Sequence, residues 1–128
     1  MPARQSTQAL YNIRVTAVKH ILFICSQNRL RSPTAEQIFS TYPGIECSSA
    51  GLNHDAENPV TAELVEWADL IFVMEKTHRN RLSSKFKSSL LNIRVICLDI
   101  PDNYAFMDPV LVQLLQSKVS RFLPDKQS

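Results

Sequence analysis

The chain has 128 residues, enough for one domain with a substantial core, and its 45% apolar and 20% charged residues are ordinary for a soluble globular protein. Fourteen basic against twelve acidic side chains leave a net charge of +2, too small to demand a nucleic acid or a membrane surface as partner. The 3 cysteines, Cys25, Cys47 and Cys97, are an odd number at long spacings, which excludes a disulfide framework and zinc-ligand spacing and fits a reducing compartment.

Residues 1–17 read as a loosely attached tail ahead of a single domain over 18–124. The tail holds Arg4 and Arg14 without the continuous apolar run of a secretory signal. No stretch reaches the length of a membrane-spanning helix, so a cytoplasmic location is expected. The run HILFIC at 20–25 is short, apolar and without alternation, as in a strand buried on both faces. Ser32-Pro33 reads as an N-cap followed by the first helical residue, and Ala35, Ile38, Phe39 and Tyr42 give that helix its apolar stripe.

The alternation then repeats. A strand is expected at 45–50, and a helix at 61–68 with Leu64, Val65 and Ala68 on one side. A second buried strand follows at 69–74 and a helix at 77–86 carrying Leu82 and Phe86. A strand at 93–98 precedes a last helix that begins at Asp108-Pro109 and bears Leu111, Leu114, Leu115 and Phe122. Strands alternating with helices in this way predict an α/β protein with an open, mostly parallel sheet covered on both faces. In such sheets ligands bind beyond the carboxyl ends of the strands. Cys25 lies at one such end, and the 99–108 loop follows another.

The segment Cys25-Ser26-Gln27-Asn28-Arg29-Leu30-Arg31-Ser32-Pro33 joins a buried strand to a helix start. Five residues between Cys25 and Arg31 let the loop curl until its backbone N–H groups converge with the helix N-terminus on an anion. Arg31 adds a planar fork of donors for two phosphate oxygens. The same positive surroundings favour thiolate over neutral thiol at Cys25, and Ser32 can donate its hydroxyl to that sulfur. A thiolate beneath a bound phosphate is placed for in-line attack on phosphorus. The reaction then needs an acid for the leaving oxygen and a base for water, and the segment LDIPDNY at 98–104 offers carboxylates at the same sheet edge.

These residues resemble the low-molecular-weight protein tyrosine phosphatase family. ILFIC-x5-R-S-P-x-A-E at 21–36 is similar to its phosphate loop and first helix, Ser49-Ala50-Gly51 to its S-A-G turn, WADLIFVMEKTH at 67–78 to its third strand and following helix, and IPDNY at 100–104 to its acid loop. The resemblance covers 19–122 and implies a four-stranded, flavodoxin-like sheet in the order 2-1-3-4. It implies Cys25 as nucleophile, Arg31 as ligand of phosphate and transition state, and Asp102 as general acid and base. Ser26, Gln27, Asn28, Arg29 and Leu30 would form the phosphate loop, with Asn28 bracing it and Ser32 stabilising the thiolate. Tyr104 would wall the substrate pocket. The substrate implied is a phosphotyrosine protein or small aryl phosphate, hydrolysed through a phosphocysteine without metal or cofactor, by a monomer or weak dimer that needs neither nucleic acid nor membrane. Three departures stand out: Gln27 where the family usually has glycine, Leu30 where a second cysteine is common, and a shorter 51–67 stretch that implies a missing helix and loop beside the pocket.

Plainer readings compete at several positions. A cysteine that ends an apolar strand is ordinarily a core residue, and Cys47 and Cys97 are read that way. A cation at a helix start opposes the helix dipole, which makes sense for Arg31 if an anion binds there. Asp108 is explained as the cap before Pro109, and Asp99 as the end of a strand, leaving Asp102 as the acid. Tyr104 and Phe106 fit packing as well as a pocket wall. Lys76, His78, Arg79, Arg81, Lys85 and Lys87 read as a solvated helix face, with an acidic partner as the sharper alternative. His20 and His54 receive no chemistry. Two rival functions remain: an arsenate reductase of the same architecture, which needs a relay of thiols, and a non-catalytic phosphate- or phosphoprotein-binding module.

Overall fold

The alternating side-chain directions of the first strand divide the molecule into two cores. In the computed structural model, which describes residues 18–123, strand β1 (Lys19–Cys25) is central and has no exposed apolar residue. Successive side chains of a strand point to opposite faces. Ile21, Phe23 and Cys25 accordingly pack with Ala35, Phe39, Leu111, Leu115 and Val119, while Leu22 and Ile24 pack with Val65, Ile71, Val73 and Leu82. Phe23 stacks between Phe39 and Phe72, with centroids 5.7 and 5.5 Å away. A strand without a polar face can only sit between two helical layers.

The elements follow in the expected alternation: helix α1 (Arg31–Phe39), strand β2 (Ile45–Gly51), helix α2 (Ala62–Trp67), strand β3 (Leu70–Val73), helix α3 (Lys76–Lys85), strand β4 (Arg94–Cys97) and helix α4 (Pro109–Val119). All strands are parallel in the order β2-β1-β3-β4, the order expected. α1 and α4 cover one face, α2 and α3 the other. The expected tail at 1–17 lies outside the described residues. Among the described residues no helix is long and apolar enough to cross a membrane.

One boundary departs from expectation in a way that matters. Ser32 is not the cap of α1. The helix starts at Arg31, and Leu30 holds the cap position with no side-chain bond to the first turn. The hydroxyl of Ser32 is thereby released from capping, and the first-turn N–H groups keep the unsatisfied donors of an uncapped helix end. The expected cap at Asp108 holds, accepting from Val110 N at 2.8 Å ahead of Pro109, and Thr61 caps α2 by accepting from Leu64 N at 3.1 Å.

Candidate active site

Parallel register brings the chemistry to one edge. Cys25 pairs with Gly51, and Ile24 with Val73, which in turn pairs with Cys97. The segments that leave β1, β2, β3 and β4 therefore meet beyond their carboxyl ends. The 26–30 loop is held there from outside. The carbonyls of Cys25, Ser26 and Gln27 accept from the backbone N–H of Leu52, Asn53 and Glu57 at 2.9, 3.0 and 3.1 Å. In a trans peptide the next N–H points opposite the carbonyl, so the amides of Ser26, Gln27 and Asn28 turn to the inside of the loop. The 52–57 segment thus braces this loop.

Asn28 takes the left-handed backbone at φ 58°, a conformation asparagine adopts more readily than other residues with a side chain. Gln27 is not among the residues of positive φ, so its substitution for glycine brings no backbone strain. Gly51 is needed for a different reason. A Cβ there would lie 2.5 Å from Ala56 Cβ, 2.6 Å from the Ser26 carbonyl oxygen and 3.0 Å from Asn28 N.

A hydrogen-bonded chain fixes the sulfur. The Ser49 hydroxyl donates to Glu36 Oε1 at 2.5 Å, and the Asn28 amide donates to Ser49 Oγ at 2.9 Å and to Ser32 Oγ at 3.0 Å. With Ser32 Oγ accepting from Asn28, its own proton is free for Cys25 Sγ, 2.9 Å away. Sequence reasoning placed Asn28 and Ser32 here but missed Ser49 and Glu36 as members of the chain.

Arg31 is 2% exposed and held from two sides. Its Nη1 donates to Glu75 Oε2 at 2.6 Å and to the Ile100 carbonyl at 2.7 Å. Its Nε is buried without a hydrogen-bond partner, although Asp102 Oδ1 stands 3.8 Å off. Arg31 also lines a cavity of about 180 Å³ together with Cys25, Ser26, Gln27, Arg29, Leu30 and Asp102. Cys25, Arg31 and Asp102 are thereby brought together. A larger hollow of about 630 Å³ beside the edge strand β2, lined by Cys47, Glu63 and Trp67 among others, offers no cation, and burial pushes the Cys47 thiol up to about 12.

The loop that carries Asp102 is anchored at both ends. Ile100 N donates to the Met74 carbonyl at 2.9 Å, and Met107 N donates to Thr34 Oγ1 at 3.0 Å. Between these points Asp102 is exposed at the cavity mouth. Asp108 is spent on its cap. Asp99, at φ 54°, accepts from the Cys97 thiol at 3.4 Å and lines a different hollow with Glu75 and Lys76. The Cys97 thiol is itself raised above its ordinary value by burial. Tyr104 is half-buried against the α1/α4 core and is not among the cavity-lining residues; Phe106 is exposed over a hollow beside α1.

His78 is the clearest correction. It does not belong to a solvated basic face: it is 1% exposed, with Nε2 2.9 Å from Ser26 Oγ and Nδ1 accepting from Glu75 N at 3.1 Å. Burial first, then Arg31, lowers its pKa to about 4. Lys76, Arg81, Lys85 and Lys87 are exposed as expected, and Arg79 is half-buried. A signal existed in Glu75-x-x-His78, which has the spacing of a capping box directly after a buried strand.

Residues 20–67 match the family model described as low molecular weight phosphotyrosine protein phosphatase. The protein-arginine-phosphatase of Bacillus subtilis (strain 168) is 30% identical over 94 residues, covering 52% of this chain; the chain spans 62% of that relative's length. The tyrosine phosphatase Wzb from Escherichia coli K30, solved in complex with phosphate, superposes with a TM-score of 0.67 at 24% identity, over 82% of this chain and 96% of that one. The YwlE arginine phosphatase from Geobacillus stearothermophilus superposes with a TM-score of 0.65 at 21% identity, over 81% and 90%.

Proposed function

We propose, for a chain that has the fold of the low-molecular-weight phosphotyrosine protein phosphatases and matches that family's sequence model over 20–67, that it is a cysteine phosphatase of aryl phosphate monoesters, phosphotyrosine in proteins above all. One observation carries the reading: Arg31, buried with an unpartnered Nε–H, lines the same cavity as Cys25. An unpaired buried donor is costly, and a phosphate oxygen satisfies it.

In the proposed reaction the Cys25 thiolate attacks phosphorus, forming an S–P bond as the P–O bond to the aryl group breaks. Asp102, protonated, gives its proton to the leaving phenolate. Water then attacks the phosphocysteine, Asp102 takes a proton from it, and inorganic phosphate leaves as the thiolate is restored. Arg31 and the inward amides of the loop face the equatorial oxygens, where negative charge is concentrated.

Phosphoarginine is the second reading, because the curated relative is a protein-arginine-phosphatase. Arg29 weighs against it. Its side chain is exposed at the cavity and its Nε is 3.8 Å from Glu57, a loose, solvent-screened pair. A cation there repels a guanidinium and attracts an acidic peptide. The arsenate reductase reading fits poorly. Cys47 and Cys97 lie on opposite edge strands of the sheet, three strand spacings or about 14 Å apart, beyond the reach of a disulfide.

The test is hydrolysis of para-nitrophenyl phosphate in EDTA, followed by kcat/KM on a phosphotyrosine peptide and on phosphoarginine. Turnover that vanishes in Cys25→Ser and favours phosphotyrosine is expected. Activity surviving that substitution defeats the proposal; a preference for phosphoarginine replaces its substrate; phosphate binding without turnover leaves only a binding module.

A further inference from the structure

We infer that the Ser26 hydroxyl is a catalytic donor to a phosphoryl oxygen, oriented for that task by His78 as a positioning residue; the inference rests on the phosphatase reading. His78 has no exposed edge, and its two ring nitrogens have different partners. The backbone N–H of Glu75 donates to Nδ1 at 3.1 Å, so Nδ1 carries no proton in the neutral ring. The ring proton is therefore on Nε2 and donates to Ser26 Oγ at 2.9 Å. Once Ser26 Oγ accepts that bond, its own proton turns away from the imidazole.

Ser26 lines the same cavity as Cys25 and Arg31, so the released proton has the anion site before it. The low pKa of His78 keeps the ring in the neutral state this arrangement requires. The outcome parallels the Ser32 arrangement beneath the sulfur: in each case an amide or imidazole N–H occupies a hydroxyl's lone pair and leaves its proton for an anion. One donor then serves the thiolate and the other the phosphoryl group.

The test reads phosphate binding separately from turnover. Inorganic phosphate is titrated calorimetrically into the full chain, and kcat and KM are measured on para-nitrophenyl phosphate. A hydrogen bond to a charged group accounts for roughly tenfold or more in affinity, so Ser26→Ala is expected to weaken phosphate binding and kcat/KM by at least that factor. Ser26→Thr, which keeps the hydroxyl, is expected to restore both. His78→Leu is expected to weaken them similarly beside Ser26 and to do nothing further beside Ser26→Ala, which a merely structural role of His78 does not produce.

Wild-type affinity and turnover in Ser26→Ala, or failure of Ser26→Thr to recover, overturns the inference while the phosphatase reading stands. An equal effect of His78→Leu in both backgrounds removes His78 from it. A wild-type chain that binds phosphate but turns over no aryl phosphate overturns the phosphatase reading and Ser26's part in turnover with it, and a chain that binds no phosphate overturns both. If His78→Leu does not fold, the two Ser26 variants still decide the hydroxyl's role.

Discussion

Arg31 Nη1 and Glu75 Oε2 meet at 2.6 Å, one from the start of α1 and the other from the turn after β3. Together with the Ile100 carbonyl, the contact holds the guanidinium beside the cavity. Arg31 is 3% exposed on its side chain but Glu75 is 41% exposed, so solvent screens the pair and its loss costs about 1 kcal/mol rather than the larger penalty of a fully buried pair. Glu75→Gln keeps an acceptor and is expected to leave phosphate affinity nearly unchanged. Glu75→Ala frees the guanidinium to rotate and is expected to lower kcat/KM roughly tenfold. Steady-state kinetics on both variants check this, and equal kinetics would remove the orienting role from Glu75.

Gly51 closes the loop from the side of β2. Its added Cβ would meet Ser26 O at 2.6 Å and Ala56 Cβ at 2.5 Å, and both neighbours belong to the mutually bonded 26–27 and 52–57 segments. Gly51→Ala is expected to destabilise the chain by about 1–3 kcal/mol, as overpacking does, and to weaken phosphate binding by displacing the loop amides. Urea unfolding and phosphate titration measure the two effects. A stable variant with intact phosphate affinity contradicts the role given to this position.

Asp102 and Asp108 are separable by experiment because their surroundings differ. Asp102 stands exposed at the cavity mouth, 3.8 Å from Arg31 Nε, whereas Asp108 accepts from Val110 N. Asp102→Asn is expected to lower kcat by about a hundredfold, the usual range for general acid catalysis, without loss of phosphate affinity. Asp108→Ala is expected to cost about 1 kcal/mol of stability through the lost cap and to leave kcat unchanged. The reverse pattern in kinetics and melting would transfer the acid role.

The depressed pKa of His78 makes stability depend on pH. With the ordinary value near 6.5 in the unfolded chain and about 4 when folded, the unfolded state takes up the proton first as pH falls. Stability is therefore intact above 6.5, falls between 6.5 and 4, and levels off below. A shift of this size corresponds to about 3 kcal/mol. Arg31 and Arg81 facing the ring lower its affinity for the proton, and Glu75 and Asp102 partly offset them. Urea unfolding at several pH values is expected to show this loss in the wild-type chain and a smaller one in His78→Gln; identical slopes would show that His78 is not its source.

The architecture was legible because its causes are local in sequence. Unbroken apolar runs such as ILFI at 21–24 can only be buried strands between helical layers. The loop that lines the cavity was legible for the same reason, since Cys25, Asn28, Arg31 and Ser32 lie within one strand-to-helix turn. Even there local rules misled once: Ser32 has the composition of a cap, yet the turn starts the helix earlier and gives its hydroxyl to the sulfur.

What sequence could not supply are the partners brought in from afar. Ser26 and His78 are 52 residues apart, and Arg31 and Glu75 are 44. No periodicity links them. They meet because β1 pairs in parallel with β3, so that Ile24 lies beside Val73 and the chain leaving each strand emerges at the same edge. By itself the sequence determined a doubly covered parallel sheet and the strand-to-helix loop on which Cys25 and Arg31 stand together. Only the tertiary structure decided which side chains orient them, because register, a property of paired strands, places residues that no local pattern relates.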